Sequence, residues 1–272
     1  MKSFRTLFLF ASVVAATAIT LAKPGYAQSL NFGSGDAPIE IFADNGIEWQ
    51  QDSLLFVARG NARAQRGDVQ ILADELRAYY RNTDNGSTEI WRLDAVGTVR
   101  IKSTEGTAYG DKAIYDVDNS ILTITGKNIR LVSGKDWLTA RDQLEYWEAK
   151  QMAVARGDAA AERDSKRLNA NILAAYFRKN KKGETGIYRV DAFESVKIIT
   201  DKDQATAERG VYNVESGIAT LTGSVKIERD NNVLNGCSAE VNLNTGVSKL
   251  HSCADGGTRV QGSFRPAEKT PK

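Results

Sequence analysis

One histidine and two cysteines are all that this 272-residue chain offers of the side chains most often used to ligate metals or attack substrates. His251 has no Ser or Cys motif placed to use it and reads as a strand-surface residue, and no CxxC pair, HExxH, DxDxDG or P-loop pattern occurs. The sequence therefore predicts no catalytic residue, no metal site and no cofactor, and we read the chain as non-enzymatic. Its carboxylates are scattered over turns and strand edges, without a pair marked out for acid–base work on a glycosidic bond. Proline is scarce too. All four prolines lie outside residues 39 to 265, so nothing between is barred from the middle of a sheet. Strong positive charge is also missing. The net charge is +2, and the one concentrated basic stretch, "RKNKKGE" at 178–184, reads as a solvated loop tip. Nucleic acid is excluded as a partner, because phosphate binding needs a basic stripe.

The only long apolar run stretches from Leu7 to Ala22. Lys2 and Arg5 precede it, and Gly25 and Ala27 follow at the small-residue positions of a cleavage site. That is the form of a signal peptide over 1–27, cleaved after Ala27, which sends the chain to the periplasm. The run falls short of the roughly 20 residues that span a bilayer; an uncleaved membrane anchor is the alternative. Cleavage removes three basic and no acidic residues, so +2 becomes −1. Residues 28–37, with "GSG" at Gly33 to Gly35, read as a linker, and 263–272 as a disordered tail.

Cys237 and Cys253 bound the segment "CSAEVNLNTGVSKLHSC", whose midpoint, Thr245, lies in a turn-like cluster. Folding back there brings the two cysteines opposite or nearly opposite, at the spacing a disulfide needs. In an oxidising compartment such a bond is worth roughly 3 kcal/mol in the chain-entropy picture. Two buried free thiols are the alternative if the hairpin register slips by one.

What the chain does have is a repeat. Gly60 to Gly126 aligns on Gly157 to Gly223 without a gap, with 24 of 67 positions identical. "AYYR" at Ala78 matches "AYFR" at Ala175, "RLDA" at Arg92 matches "RVDA" at Arg189, and Tyr115 and Val117 match Tyr212 and Val214. This divides the chain into repeat 1 at 38–156 and repeat 2 at 157–262. Each copy is built of smaller units that begin near Gly60, Gly97, Gly126, Gly157, Glu194 and Gly223. Within a unit apolar residues alternate, as Ala113, Tyr115 and Val117 do against Ile114, Asp116 and Asp118. "DELRAYYR", "RLNANILAAYFRK" and residues 142 to 164 have helix-favouring composition. Their unit positions align with plain strands, however, so strands are expected there too. The fold class that follows is all-β, with hairpin-like units stacking along one axis.

"GTVRIKSTEGTAYGDKAIYDVDNSILTITG" and "ESVKIITDKDQATAERGVYNVESGIATLTGSVKI", with the opening "PIEIFADNGIEW", resemble the OstA-like domain of the lipopolysaccharide-transport proteins, the superfamily of LptA, LptC and the N-terminal part of LptD. The likeness covers about residues 38 to 253. Glu194 and Ser195 depart from it by opening a unit without the usual Gly, and the chain is longer than a typical bridge subunit. The resemblance implies an open-ended, twisted, sandwich-like β-jellyroll whose greasy groove takes the lipid A acyl chains of lipopolysaccharide. It implies end strands that join LptC-like and LptD-like partners by strand addition and support head-to-tail self-association. On that reading the groove is lined by Val99, Ile101, Tyr115, Val117, Ile124, Val196, Ile198, Tyr212, Val214 and Leu221, with Tyr115 and Tyr212 facing the same way. The function implied is periplasmic transport of lipopolysaccharide between the two membranes. A structural or assembly protein of the envelope that carries no lipid, or a membrane-anchored LptC-like component, is the alternative.

Overall fold

The computed structural model describes residues 39–84, 86–103, 106–134, 136–163, 165–179, 185–201, 203–229, 232–253 and 259–264. The expected signal peptide and linker, the tail beyond Phe264 and the loop-tip residues 180–184 lie outside them. The strands are β1 (Glu40–Phe42), β2 (Ile47–Gln50), β3 (Leu55–Arg66), β4 (Val69–Asn82), β5 (Thr88–Ser103), β6 (Gly106–Asp116), β7 (Ile121–Thr125), β8 (Ile129–Ser133) and β9 (Asp136–Ala140). There follow β10 (Gln143–Trp147), β11 (Met152–Arg163), β12 (Lys166–Lys179), β13 (Thr185–Ile199), β14 (Asp203–Asn213), β15 (Ile218–Arg229), β16 (Asn232–Asn242), β17 (Val247–His251) and β18 (Gln261–Ser263). Among the described residues the one departure from strand, turn and coil is a single 3-10 turn at Glu148–Lys150.

All the pairings are antiparallel and nearly all join neighbours in sequence. The long strands bend in the middle. The register breaks between Arg59 and Ala62, Leu72 and Glu75, Val96 and Val99, Arg156 and Ala159, Phe193 and Val196, and Thr222 and Val225. Where a strand does not bend it is interrupted: β1 and β2 pair with opposite halves of β3, and β7 and β8 with opposite halves of β6. The sheet thus folds along one line into two facing layers, a β-jellyroll. Arg156 and Gly157, the boundary that the sequence repeat suggests, lie inside β11, so the sheet runs through that point without a break.

The bends preserve the inward face. In β4 the buried set is Val69, Ile71 and Ala73, then Leu76, Ala78 and Tyr80, and the extra residue at the bend restores the face that a period of two would lose. Gly97 shows why glycine opens the units. Its φ is +78°, and a Cβ there would lie 2.2 Å from an Asp74 carboxylate oxygen. Glu194 takes the same left-handed place at φ +63°, its carboxylate accepting from Asn171 Nδ2 at 2.7 Å.

The helix-like composition has its explanation here. Alanine flanks the bends: Ala58 and Ala62, Ala73, Ala95, Ala108 and Ala113, Ala155 and Ala159, Ala170 and Ala192 are all buried. Small side chains thus gather at the fold line, where they pack beside Val99, Val196 and Val225. Larger Ile, Leu and Tyr side chains fill the rest of the interior, and together they form one hydrophobic cluster spanning both copies.

Candidate functional site

The inward faces of the two layers form a single apolar trough. Val99, Ile101, Tyr115, Ile124, Val196 and Leu221 all belong to the buried cluster, and Val117 and Ile198 pack against it. Tyr212 and Val214 are half-buried near the mouth. Tyr115 pairs with Leu93 and Leu122, and Tyr212 with Val190 and Ala219, so the two tyrosines occupy equivalent positions and face the same way. Eight of the ten residues that the sequence singled out for the groove are therefore brought to one buried interior, and Tyr212 and Val214 lie outside that cluster. In repeat 1 they fill it. The space left between Ile41, Phe56, Ile71, Leu93 and Tyr115 is about 10 Å³, scarcely one water molecule.

The sequence reading left out Ile71, Leu76, Tyr80, Leu168, Leu173 and Phe177, which line the same interior from β4 and β12. The gapless repeat was the signal that pointed to them, through "AYYR" and "AYFR", but their helix-like surroundings hid the alternation.

A buried polar pair enters the trough. Tyr115 Oη donates to Glu148 Oε2 at 3.1 Å, and Glu148 is 7% exposed. Burial, together with the neighbouring Glu148 charge and that hydrogen bond, pushes the Tyr115 hydroxyl well above its ordinary range. Burial likewise raises the Glu148 carboxyl, against the Tyr115 hydrogen bond and the positive charge of Arg66, which act to lower it. Neither group meets a nucleophile or a metal-ligand set, and among the described residues no cluster of His, Cys, Asp and Glu is placed to hold a metal ion.

The most faithfully repeated motif points away from the trough. Arg92 donates to Asp94 from Nε and Nη2 at 2.6 and 2.9 Å while lying 5.5 Å from the Tyr79 ring centroid. Arg189 does the same with Asp191, at 2.6 and 2.7 Å, and lies 5.5 Å from the Tyr176 centroid. Asp94 and Asp191 are buried, so each carboxylate is satisfied by a bidentate guanidinium. "RLDA" and "RVDA" are clamps on the outside of the sheet rather than parts of a site.

Among the described residues both ends of the sheet are open. At one, β1 and β2 expose Phe42, Ile47 and Trp49; at the other, Val247 on β17 and Val260 and Phe264 beside β18 are exposed. Cys237 and Cys253 form a disulfide with their Cα atoms 5.1 Å apart, at the far end of the β16–β17 hairpin from the turn that the sequence predicted, and His251 lies exposed on β17.

The model of the LptA/(LptD N-terminal domain) lipopolysaccharide-transport family matches this chain twice, over residues 40–142 and 139–247. The chain belongs to that family. The second match begins at residue 139, ahead of the Gly157 at which the sequence repeat opens its second copy. The family is one of transport proteins, in keeping with an interior that carries apolar side chains in place of reactive ones. An uncharacterized protein of Rhizobium meliloti (strain 1021) is 26% identical over 132 residues, 47% of this chain and 70% of the relative. The crystal structure of LptH, the LptA-homologous periplasmic component of the lipopolysaccharide-transport device of Pseudomonas aeruginosa, aligns over 85% of this chain and 96% of its own, with 11% identity and a TM-score of 0.23.

Proposed function

We propose that this member of the LptA/LptD family is a periplasmic lipopolysaccharide carrier that holds lipid A acyl chains between the two layers and bridges the inner and outer membranes. The observation that carries this reading is the unbroken apolar interior, running through both copies with almost no polar group in it. Burying an acyl chain gains about 0.8 kcal/mol per methylene. A carrier therefore needs length of apolar surface and few specificity groups, and Val99, Ile101, Tyr115, Val117, Ile124, Val196, Ile198, Tyr212, Val214 and Leu221 supply such a surface. Because repeat 1 is closely packed, cargo enters by parting the layers.

Bridging needs neighbours, and the open ends are suited to them. Exposed edge strands with unpaired backbone groups join further strands readily. LptC-like and LptD-like components, and further copies of this chain, are the partners this reading assigns to the two ends. Export through a signal peptide cleaved after Ala27 places the carrier in the periplasm, and an uncleaved segment would make it an anchored, LptC-like component.

Photo-crosslinking to purified lipopolysaccharide tests the carrier reading. Inward positions Ile101, Tyr115, Ile198 and Tyr212, taken together, are expected to capture lipid, while Ile114 and Val211 on the opposite face of the same strands are not. Equal capture from both faces overturns the reading. The second reading, an envelope assembly protein without cargo, is favoured by the closed interior of repeat 1, and predicts that native mass spectrometry finds end-to-end oligomers free of lipid.

A further inference from the structure

Positions 97 residues apart hold the same place in the two copies, yet their burial diverges with distance from the fold line. Beside the bends the copies are equally closed: Val99 and Val196 are each 1% exposed, and Ile124 and Leu221 are fully buried. Toward the mouth they part. Ile71, Tyr80, Ile101 and Tyr115 are all buried, whereas Leu168, Phe177, Ile198 and Tyr212 are only half-buried. This is no end effect, because β12, β13 and β14 each have neighbours on both sides. The side chains shrink as well, Val190 standing for Leu93 and Ala219 for Leu122.

The polar contact at the mouth differs in the same sense. In repeat 1 the Tyr115 hydroxyl is tied to the buried Glu148, and the charge of Arg66, the last residue of β3, acts on both. In repeat 2 the counterpart of Glu148 is identified by its backbone. Glu148 N donates to Ser120 O at 3.0 Å, and Leu243 N donates to Gly217 O at 2.8 Å, with Ser120 and Gly217 being 97 residues apart. An apolar side chain thus stands where the carboxylate stands in repeat 1. Arg163, the counterpart of Arg66, is engaged with Asp136.

Taking the interior as an acyl-chain site, we infer that the two halves are unequal: repeat 1 is held shut at its mouth by the buried Tyr115–Glu148 hydrogen bond, with the charge of Arg66 nearby, and acyl chains enter and lodge in repeat 2. The ligand class is a long saturated hydrocarbon chain, received between β12, β13 and β14 where Leu168, Phe177, Ile198 and Tyr212 leave the mouth ajar. Repeat 1 then serves as a closed half that fills only when its clasp is released.

The test uses the full-length protein with a diazirine amino acid at Ile71, Ile101, Leu168 or Ile198, and purified lipopolysaccharide as the probe. Leu168 and Ile198 are expected to give at least fivefold more adduct than Ile71 and Ile101. Tyr115→Phe, which removes only the hydroxyl, and Glu148→Leu, which copies repeat 2, are each expected to raise adduct at Ile101 at least threefold. Without any lipid, both variants should speed amide exchange at residues 66–69 and 115–120 and leave 163–166 and 212–217 unchanged. Equal adduct from the two halves of the unmodified protein overturns the inference. Unaltered exchange in both variants overturns the clasp. Failure of all four positions to capture lipid defeats the acyl-chain reading itself, and the exchange measurement then decides separately whether the clasp exists.

Discussion

Glu145 and Glu148 sit three residues apart and are driven in opposite directions by their surroundings. Burial alone would raise the Glu145 carboxyl, but Arg156 Nε and Trp147 Nε1, each donating at 2.7 Å, and Gln143 Nε2 outweigh it and hold the group below its ordinary value of 4.5. A depressed carboxyl gives stability that is present above pH 4.5 and is lost as the pH falls through the folded-state value. Glu145→Gln should therefore cost about 1–2 kcal/mol at pH 7 and nothing once both forms are protonated. Glu148 is raised, so its contribution is present below pH 4.5 and is lost as the pH climbs through its folded-state value. Glu148→Gln should match the unmodified protein at pH 4 and exceed it at pH 7. Urea midpoints across that range check both signs, and parallel curves for the two variants would refute the assignment. The same environments were only half legible in "QLEYWEAK". That sequence marks a strand near a turn, but which carboxylate turns inward depends on the single 3-10 turn that interrupts the alternation at Glu148.

Strands in this molecule are defined by their corners. Gly60, Gly97, Gly126, Gly157 and Gly223 open the units in the sequence, and a side chain from a neighbouring strand or turn occupies the space each lacks: Asn45, Asp74, Asp111, Asp142 and Glu208 in turn. The spacing of 15 or 23 residues between partners is written in the chain, though nothing in the residue types announces it. Gly157→Ala should cost about 1–2 kcal/mol, since its φ is +81° and Asp142 must move aside. Glu194→Gly should change stability by less than about 0.5 kcal/mol, because relief of the left-handed backbone offsets the lost Asn171 bond. Equal losses in the two urea titrations would show that the corner conformation is not what glycine serves. The Cys237–Cys253 disulfide closes the series beside the last strands, β17 and β18. Replacing both cysteines with serine should remove roughly 3 kcal/mol and lower the melting temperature by about 5–10 °C. Adding reductant to the unmodified protein should reproduce the loss, and an unchanged transition in both cases would show that the hairpin holds without its bond.

At the scale of the molecule, the duplication and the all-β class were legible because a 97-residue repeat imposes one architecture on both copies, including segments whose alanine content suggests helix. The interior was legible as a face but not as a volume. Alternation shows that Ile101 and Ile198 point inward, whereas only the facing layer decides that one is 1% exposed and the other half-open. That difference has a kinetic consequence. With about 10 Å³ free between Ile41, Phe56, Ile71, Leu93 and Tyr115, an acyl chain enters that part of repeat 1 only as the layers separate. Association that waits on a conformational change runs below the usual 10⁵–10⁷ M⁻¹s⁻¹ of protein encounters. Stopped-flow fluorescence of a lipid A probe added to the full-length protein should therefore give a loading rate that saturates with probe concentration, the plateau reporting layer opening. Tyr115→Phe should raise that plateau if opening of repeat 1 limits filling, while Ile198→Asp, which puts a charge into the half-open mouth of repeat 2, should abolish the fast phase. A rate that instead rises linearly with probe, near 10⁷ M⁻¹s⁻¹, would mean that the trough stands open in solution and that the close packing of repeat 1 is no barrier to its cargo.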